Sequence, residues 1–211
     1  MIFRDRSEAG EVLAARLEAY RNMPNTVVLA LPRGGVPVAY EIGRRLGLPV
    51  DVFIVRKLGV PGQEELAMGA IASGGVRYIN EDVISQLGIP EQTIDAVSRR
   101  EVREIEAREL AYRSHRPPLN VRGKTVILVD DGLATGSTML AAIAALRQNA
   151  PEKITVAVPL AARETCSRVS RVVDEIVCLK MPEPFYAVGQ WYVSFPQTTD
   201  EEVRDLLSRA A

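Results

Sequence analysis

Apolar residues in this chain recur with two periods. Residues 26–31, Val50 to Val55, Lys124 to Val129, Ile154 to Val158 and Ile176 to Leu179 are short, largely unbroken apolar runs. Runs of that length and character predict strands buried on both faces. Between them lie stretches with helical spacing: 8–21, Val36 to Leu46, 90–113, Ser137 to Gln148 and 161–170. The first carries Val12, Leu13, Leu17 and Tyr20 on one stripe, with Ser7 as its expected N-cap; Gly47 is placed to end the second. Buried strands alternating with amphipathic helices predict an α/β fold, a mostly parallel Rossmann-like sheet with helices on both faces.

The helical signal is absent from Arg56 to Gly75, where Gly59, Pro61, Gly62, Gly69, Gly74 and Gly75 interrupt the pattern. This stretch reads as a mobile loop at 58–66, then a hairpin pairing 67–72 with 76–79 across Ser73-Gly74-Gly75. Residues 90–113 alternate Arg and Glu, so that Arg100, Glu104 and Arg108 stack at i, i+4. A solvated face is the simplest account of that pattern, and an anion or partner site is the other. His115, just beyond, reads as an ordinary exposed or hydrogen-bonded histidine.

Composition narrows the function. The 211 residues suffice for one domain with a small lobe. A formal net charge of -1 gives no overall attraction to nucleic acid or to an anionic membrane. Two cysteines, Cys166 and Cys178, and a single histidine leave too few ligands for a Cys/His zinc site. Cys178 lies in an apolar run and reads as a small buried hydrophobe. With no apolar signal core at Met1 to Arg6 and no long apolar stretch, a cytoplasmic protein with reduced thiols is expected.

The chemistry concentrates in one segment, Val126-Ile127-Leu128-Val129-Asp130-Asp131-Gly132-Leu133-Ala134-Thr135-Gly136-Ser137-Thr138. An apolar strand delivers two adjacent carboxylates to its C-terminal edge, where open α/β sheets place their ligands. Small and hydroxyl residues then open a helix whose first N–H groups and dipole favour an anion, and Gly136 permits close approach of the main chain. Two acids beside an anion cradle repel unless sugar hydroxyls or a divalent cation lie between them. Neither a Walker A loop nor a Gly-x-Gly-x-x-Gly fingerprint is present.

This segment resembles the phosphoribosyl-pyrophosphate-binding motif of type I phosphoribosyltransferases. The resemblance implies the fold of that family, in which the acids, here Asp130 and Asp131, bind the ribose 2- and 3-hydroxyls and, directly or through water, Mg²⁺. It implies that Ala134, Thr135, Gly136, Ser137 and Thr138 hold the 5-phosphate. Ala134 stands where some purine-salvage members carry a third acid. Pro32-Arg33-Gly34-Gly35 occupies the place of the family's pyrophosphate loop, often with a non-proline cis peptide, here at Pro32–Arg33. Gly34 and Gly35 suit close main-chain approach to an anion and Arg33 supplies charge, although an ordinary tight turn would use the same residues. Arg56 and Lys57 resemble the family's basic pair that reaches pyrophosphate, or are two surface bases. Residues 58–66, which match the family's mobile catalytic loop, contain no Lys or Arg.

Pro184 to Phe195 holds five aromatics. In the family a variable hood, here 180–198 with the N-terminal segment, recognises the base. Trp191 and Tyr192 are the candidates for stacking on it, with packing against the core as the competing reading. The chain is similar to a poorly characterised bacterial subgroup. The implied activity is Mg²⁺-dependent transfer of the 5-phosphoribosyl group from phosphoribosyl pyrophosphate to a nucleobase-like nitrogen acceptor, in a homodimer, without nucleic acid or membrane partners. The alternative is a non-catalytic sensor of phosphoribosyl pyrophosphate or nucleotides on the same fold.

Overall fold

The structure, a computed structural model, describes residues 2–113, 117, 118 and 120–210; His115 lies outside the described residues. Five parallel strands form the main sheet: β1 (Thr26–Ala30), β2 (Val50–Val52), β6 (Thr125–Val129), β7 (Lys153–Leu160) and β8 (Glu175–Lys180), in the order β2-β1-β6-β7-β8. A smaller antiparallel sheet joins β3 (Val55–Val60), β4 (Gln63–Ala72) and β5 (Val76–Ile79). The helices are α1 (Arg6–Arg16), α2 (Gly35–Leu46), α3 (Glu81–Leu87), α4 (Glu91–Arg113), α5 (Ser137–Gln148), α6 (Arg163–Ser170) and α7 (Asp200–Arg209).

Strand alternation divides the core in two. Val28 and Ala30 of β1, with Ile127 and Val129 of β6, join Leu13, Ile42, Leu46, Val203 and Leu207 of α1, α2 and α7, together with Leu17 at the α1 C-cap. Val27, Leu29, Val126 and Leu128 face the opposite way, onto Met139, Ile143, Leu146 and Val169 of α5 and α6. Each of these central strands is buried along its whole length, which is why it reads as an unbroken apolar run. Because β1 is followed by β2 on one side and borders β6 on the other, a crevice opens between the C-terminal ends of β1 and β6.

Several expectations shift. The first helix runs Arg6–Arg16 and is capped by Asp5, whose carboxylate accepts from Glu8 N–H at 2.8 Å, instead of starting after Ser7. The 50–55 run breaks: Val50–Val52 belongs to the main sheet and Val55 already begins the small one. Most important, 58–66 is not an open loop. Residues 55–60 and 63–72 pair antiparallel around a turn at Pro61 and Gly62, with register shifts at Gly59. The glycines read as loop punctuation serve the pairing: a Cβ at Gly59 would lie 2.8 Å from the Glu64 carbonyl oxygen, and Gly62 takes a φ of 80°. The β4–β5 hairpin forms in the expected register region, Gly69 to Ala72 against Val76 to Ile79. Cys178 is half-buried, its thiol donating to the Lys180 carbonyl at 3.1 Å.

The long charged helix α4 keeps Arg100, Glu104 and Arg108 on its exposed face, as the charge pattern predicts. Its inner face buries Ile94, Ser98, Glu101 and Ile105. At its C-terminal end Arg113 is buried on β2, donating to Asp51 at 2.9 and 3.0 Å and to the Val52 carbonyl at 2.8 Å. Glu109 adds a further contact to Arg113 at 2.6 Å. Removing one partner of a buried ion pair leaves a desolvated charge, at a cost of about 3–5 kcal/mol. Asp51→Ala should therefore destabilise the chain toward the lower end of that range, because Glu109 still contacts Arg113. Urea unfolding measures the difference; a loss below about 1 kcal/mol, the size of an exposed pair, would contradict the anchoring role.

Candidate functional site

The crevice between β1 and β6 brings together the two segments singled out for their chemistry. Asp130 and Asp131 leave the end of β6, and Pro32-Arg33-Gly34-Gly35 leaves the end of β1, with a cis peptide at Pro32–Arg33. The turn and the acids are in contact. A Cβ at Gly34 would fall 2.1 Å from Asp131 Oδ2, and one at Gly35 would fall 2.7 Å from the Val129 carbonyl oxygen. Both glycines are therefore required by the packing of the two strand ends, besides any role toward an anion.

Asp130 accepts the Asp131 main-chain N–H at 2.9 Å. Asp131 accepts Arg6 Nε–H at 2.8 Å, and the same guanidinium donates to the Pro196 carbonyl at 2.7 Å and lies 3.7 Å over the Phe195 ring. Burial raises Asp130 well above the ordinary aspartate range and the neighbouring Asp131 charge raises it further. Burial raises Asp131 as well, against the opposing pull of Arg6. Arg6 was not foreseen as a site residue: it sits 125 positions from its partner, on a helix with no motif.

The anion cradle begins where the chain leaves Asp131. Leu133 is stitched to the end of β7, donating to Leu160 and accepting from Ala162, both at 2.9 Å. Thr165 on α6 donates to the Ala134 carbonyl at 2.6 Å. Gly136 adopts φ 70° as the N-cap of α5, and a Cβ there would lie 2.4 Å from Thr165 Cγ2. Thr135 and Ser137 hydroxyls share a 3.0 Å hydrogen bond. The result is a groove of about 160 Å³ lined by Asp130, the 132–139 backbone segment and Val188. The first-turn N–H groups of α5 lack intrahelical acceptors by construction, so this groove is suited to phosphate.

Arg56 and Lys57 occupy β3 and line a neighbouring cleft of about 490 Å³ together with Arg100, Glu101 and Thr138. Thr138 belongs to both the groove and the cleft. Arg33 does not line this cleft; its guanidinium lies 3.6 Å from Asp200 at the start of α7, and Asp200 also accepts the Tyr112 hydroxyl at 2.6 Å. Burial and that carboxylate push the Tyr112 phenol up to about 12. The basic pair and Arg33, which the resemblance assigns to one anion, thus have different neighbours.

In the 185–195 segment the two candidate stacking residues differ. Tyr192 is buried, paired with Phe3 through a parallel bridge, stacked on Phe195 at 4.9 Å, and donates its hydroxyl to the Asp131 carbonyl at 2.7 Å. Its ring faces are taken up by protein, so it packs and positions, which corrects the expectation of a base-stacking surface. Trp191 is half-buried, and its indole Nε1–H is buried without a partner among the described residues.

No group of three or more His, Cys, Asp or Glu side chains is placed to hold a metal ion among the described residues. Two carboxylates alone suit a divalent cation that completes its shell with ligand oxygens and water.

The chain is similar to known proteins along its length. A family model described as a phosphoribosyl transferase domain matches residues 61–192. A Mycobacterium tuberculosis protein whose name assigns it provisionally to the phosphoribosyl transferases is 44% identical over 209 residues, 99% of this chain and 47% of that protein. The chain thus spans about half the length of the curated relatives it first matches. The bifunctional protein PyrR of Chloroflexus aurantiacus is 33% identical over 129 residues, covering 60% of this chain and 65% of that one. The crystal structure of TT1426 from Thermus thermophilus superposes with a TM-score of 0.90 at 40% identity, covering 100% of both chains.

An acid whose folded pKa exceeds its unfolded value takes up a proton on folding between those two pH values. Stability is therefore greatest at low pH and falls as pH rises through the folded pKa. Asp130→Asn keeps the acceptor for Asp131 N–H and removes the buried charge. In metal-free buffer it should melt above the wild type at neutral pH, the two curves converging toward about pH 4. Melting curves that run parallel across that range would show that Asp130 carries no such charge penalty.

Proposed function

Because the chain belongs to the phosphoribosyl transferase domain family, we propose that it transfers the 5-phosphoribosyl group from phosphoribosyl pyrophosphate to a nucleobase-like nitrogen acceptor. The observation that carries this reading is the contact of Asp131 with Gly34, beside the 134–138 groove. One crevice thereby offers acceptors for ribose hydroxyls, donors for a 5-phosphate, and a glycine turn for pyrophosphate.

In the proposed reaction the acceptor nitrogen forms a bond to C1 of the ribose while the C1–oxygen bond to pyrophosphate breaks, through a state with oxocarbenium character. The protein's contribution is position and charge. Asp130 and Asp131 accept from the 2- and 3-hydroxyls. Ala134, Thr135, Gly136, Ser137 and Thr138 fix the 5-phosphate, and Arg33, Gly34 and Gly35, with Arg56 and Lys57, meet the pyrophosphate. Arg6 holds the Asp131 carboxylate aligned before the sugar arrives. Asp130 and Asp131 would hold Mg²⁺, directly or through water, whose chemistry is neutralisation of charge on the departing pyrophosphate. Residues 185–195 with Phe3 serve as the hood, where Trp191 is the residue offered to the base and Tyr192 supports Asp131 from behind.

The assembly proposed is a cytoplasmic homodimer, the habit of the family. Neither nucleic acid nor membrane is proposed as a partner, since a formal net charge of -1 gives no overall attraction to either. A second reading, a non-catalytic sensor of the same donor, is favoured by one observation: 58–66 is base-free and already paired as a hairpin.

A thermal-shift comparison tests the proposal. Saturation at 100 times the dissociation constant stabilises by about 2.7 kcal/mol. The donor with Mg²⁺ should raise the melting temperature more than the donor alone or ribose 5-phosphate, and Asp130→Asn/Asp131→Asn should abolish the difference. Equal shifts in that double variant would remove the acids from the ribose site. Release of pyrophosphate with any base in a panel separates the enzyme from the sensor.

A further inference from the structure

Residues 58–66, the segment that matches the family's mobile loop, hold no Lys or Arg, yet the cleft beneath their hairpin is rich in positive charge. That charge comes from two elements. β3 supplies Arg56 and Lys57, and α4 supplies Arg100 through a helix that reads in sequence as a solvated surface. Glu101 joins them. Its side chain is 5% exposed; Oε2 accepts Arg56 Nε at 2.8 Å, while Oε1 accepts Arg100 Nε at 3.0 Å and lies 2.9 Å from its NH2. One buried carboxylate thus fixes two guanidinium groups side by side. Guanidinium forks match the oxygen spacing of phosphate groups, and alignment in advance lowers the ordering cost of binding.

Three cations in this cleft face two carboxylates, Glu101 and Glu64, and Glu64 is turned toward the hairpin's own Gly62 N–H at 3.4 Å. The cleft opens onto Thr138, which also lines the phosphate groove. A ligand whose 5-phosphate lies in the groove therefore has a path to a second, more highly charged group in the cleft.

We infer that Arg100 is a third pyrophosphate-binding cation of this chain, aligned with Arg56 by Glu101 and supplying from a helix the charge that the 58–66 hairpin lacks. The inference rests on the proposed donor. It goes beyond it by placing a residue outside every motif of the sequence in contact with the leaving group.

Isothermal titration with inorganic pyrophosphate in the presence of Mg²⁺ provides the test, with ribose 5-phosphate as the probe of the groove. Arg100 is exposed, so Arg100→Ala leaves the fold intact, which its melting temperature verifies. Loss of a charge-assisted contact should weaken pyrophosphate binding about tenfold or more. Ribose 5-phosphate binding should be unchanged, and Arg100→Lys should recover part of the loss. Arg99→Ala removes the same charge from the adjacent, exposed position outside the cleft and should change pyrophosphate affinity by less than about twofold. Equal effects of Arg99→Ala and Arg100→Ala, or equal losses for both ligands, would reduce Arg100 to a general electrostatic contribution and overturn the inference. If the wild type binds the donor with Mg²⁺ and Arg100→Ala binds pyrophosphate equally well, the inference falls and the donor assignment stands. If the wild type binds neither pyrophosphate nor donor, both fall.

Discussion

Two consecutive carboxylates at the end of a buried strand repel each other in a place from which water is largely excluded, and much of the surrounding structure answers that repulsion. Arg6 reaches from the first helix to Asp131, held over Phe195 and tied to the Pro196 carbonyl. Tyr192 fixes the Asp131 main chain from the other side. The N-terminal helix and the aromatic segment after β8 thus share one task, and Phe3, Tyr192 and Phe195 are the apolar seam through which they share it. Burial, and after it the Asp131 charge, still hold Asp130 well above the ordinary aspartate range. Ionising Asp130 in that setting is costly, and the folded chain bears that cost in the structure described.

A similar arrangement orders the neighbouring cleft. Glu101 is buried on the inner face of α4 and organises Arg56 and Arg100, just as Arg6 organises the acids. The buried Arg113–Asp51 contact pins the same helix to the main sheet about three turns away. The small sheet is therefore connected to the large one by charged side chains as well as by Leu58, Met68 and Ile71 in the core.

Local pattern carried the fold a long way. The central strands and the helices after β1 and β6 follow from apolar runs and helical spacing, because burial on both faces leaves no other way to write them. The acids and the groove followed from their position at the end of such a strand. What sequence reading could not supply were contacts between distant segments. Arg6 and Asp131 share no pattern, Glu101 is one acid among many on a charged helix, and Tyr192 gives no sign that its faces are already occupied. Helices α3 and α7 passed unremarked. Residues 58–66 went wrong for a physical reason: glycine and proline mark a loop and a tight hairpin alike, and only the pairing of 55–60 with 63–72 distinguishes them.

The ties that fasten the phosphate groove to its neighbours bear on how ligands are told apart. Leu133 is bonded to the end of β7 and Ala134 to Thr165 of α6, so the main chain that would wrap a phosphate is held in place from outside the groove. Little conformational freedom is left there to lose on binding. Encounter with any small phosphorylated molecule should then be similarly fast, and selection among them should be expressed in residence time rather than in the rate of arrival.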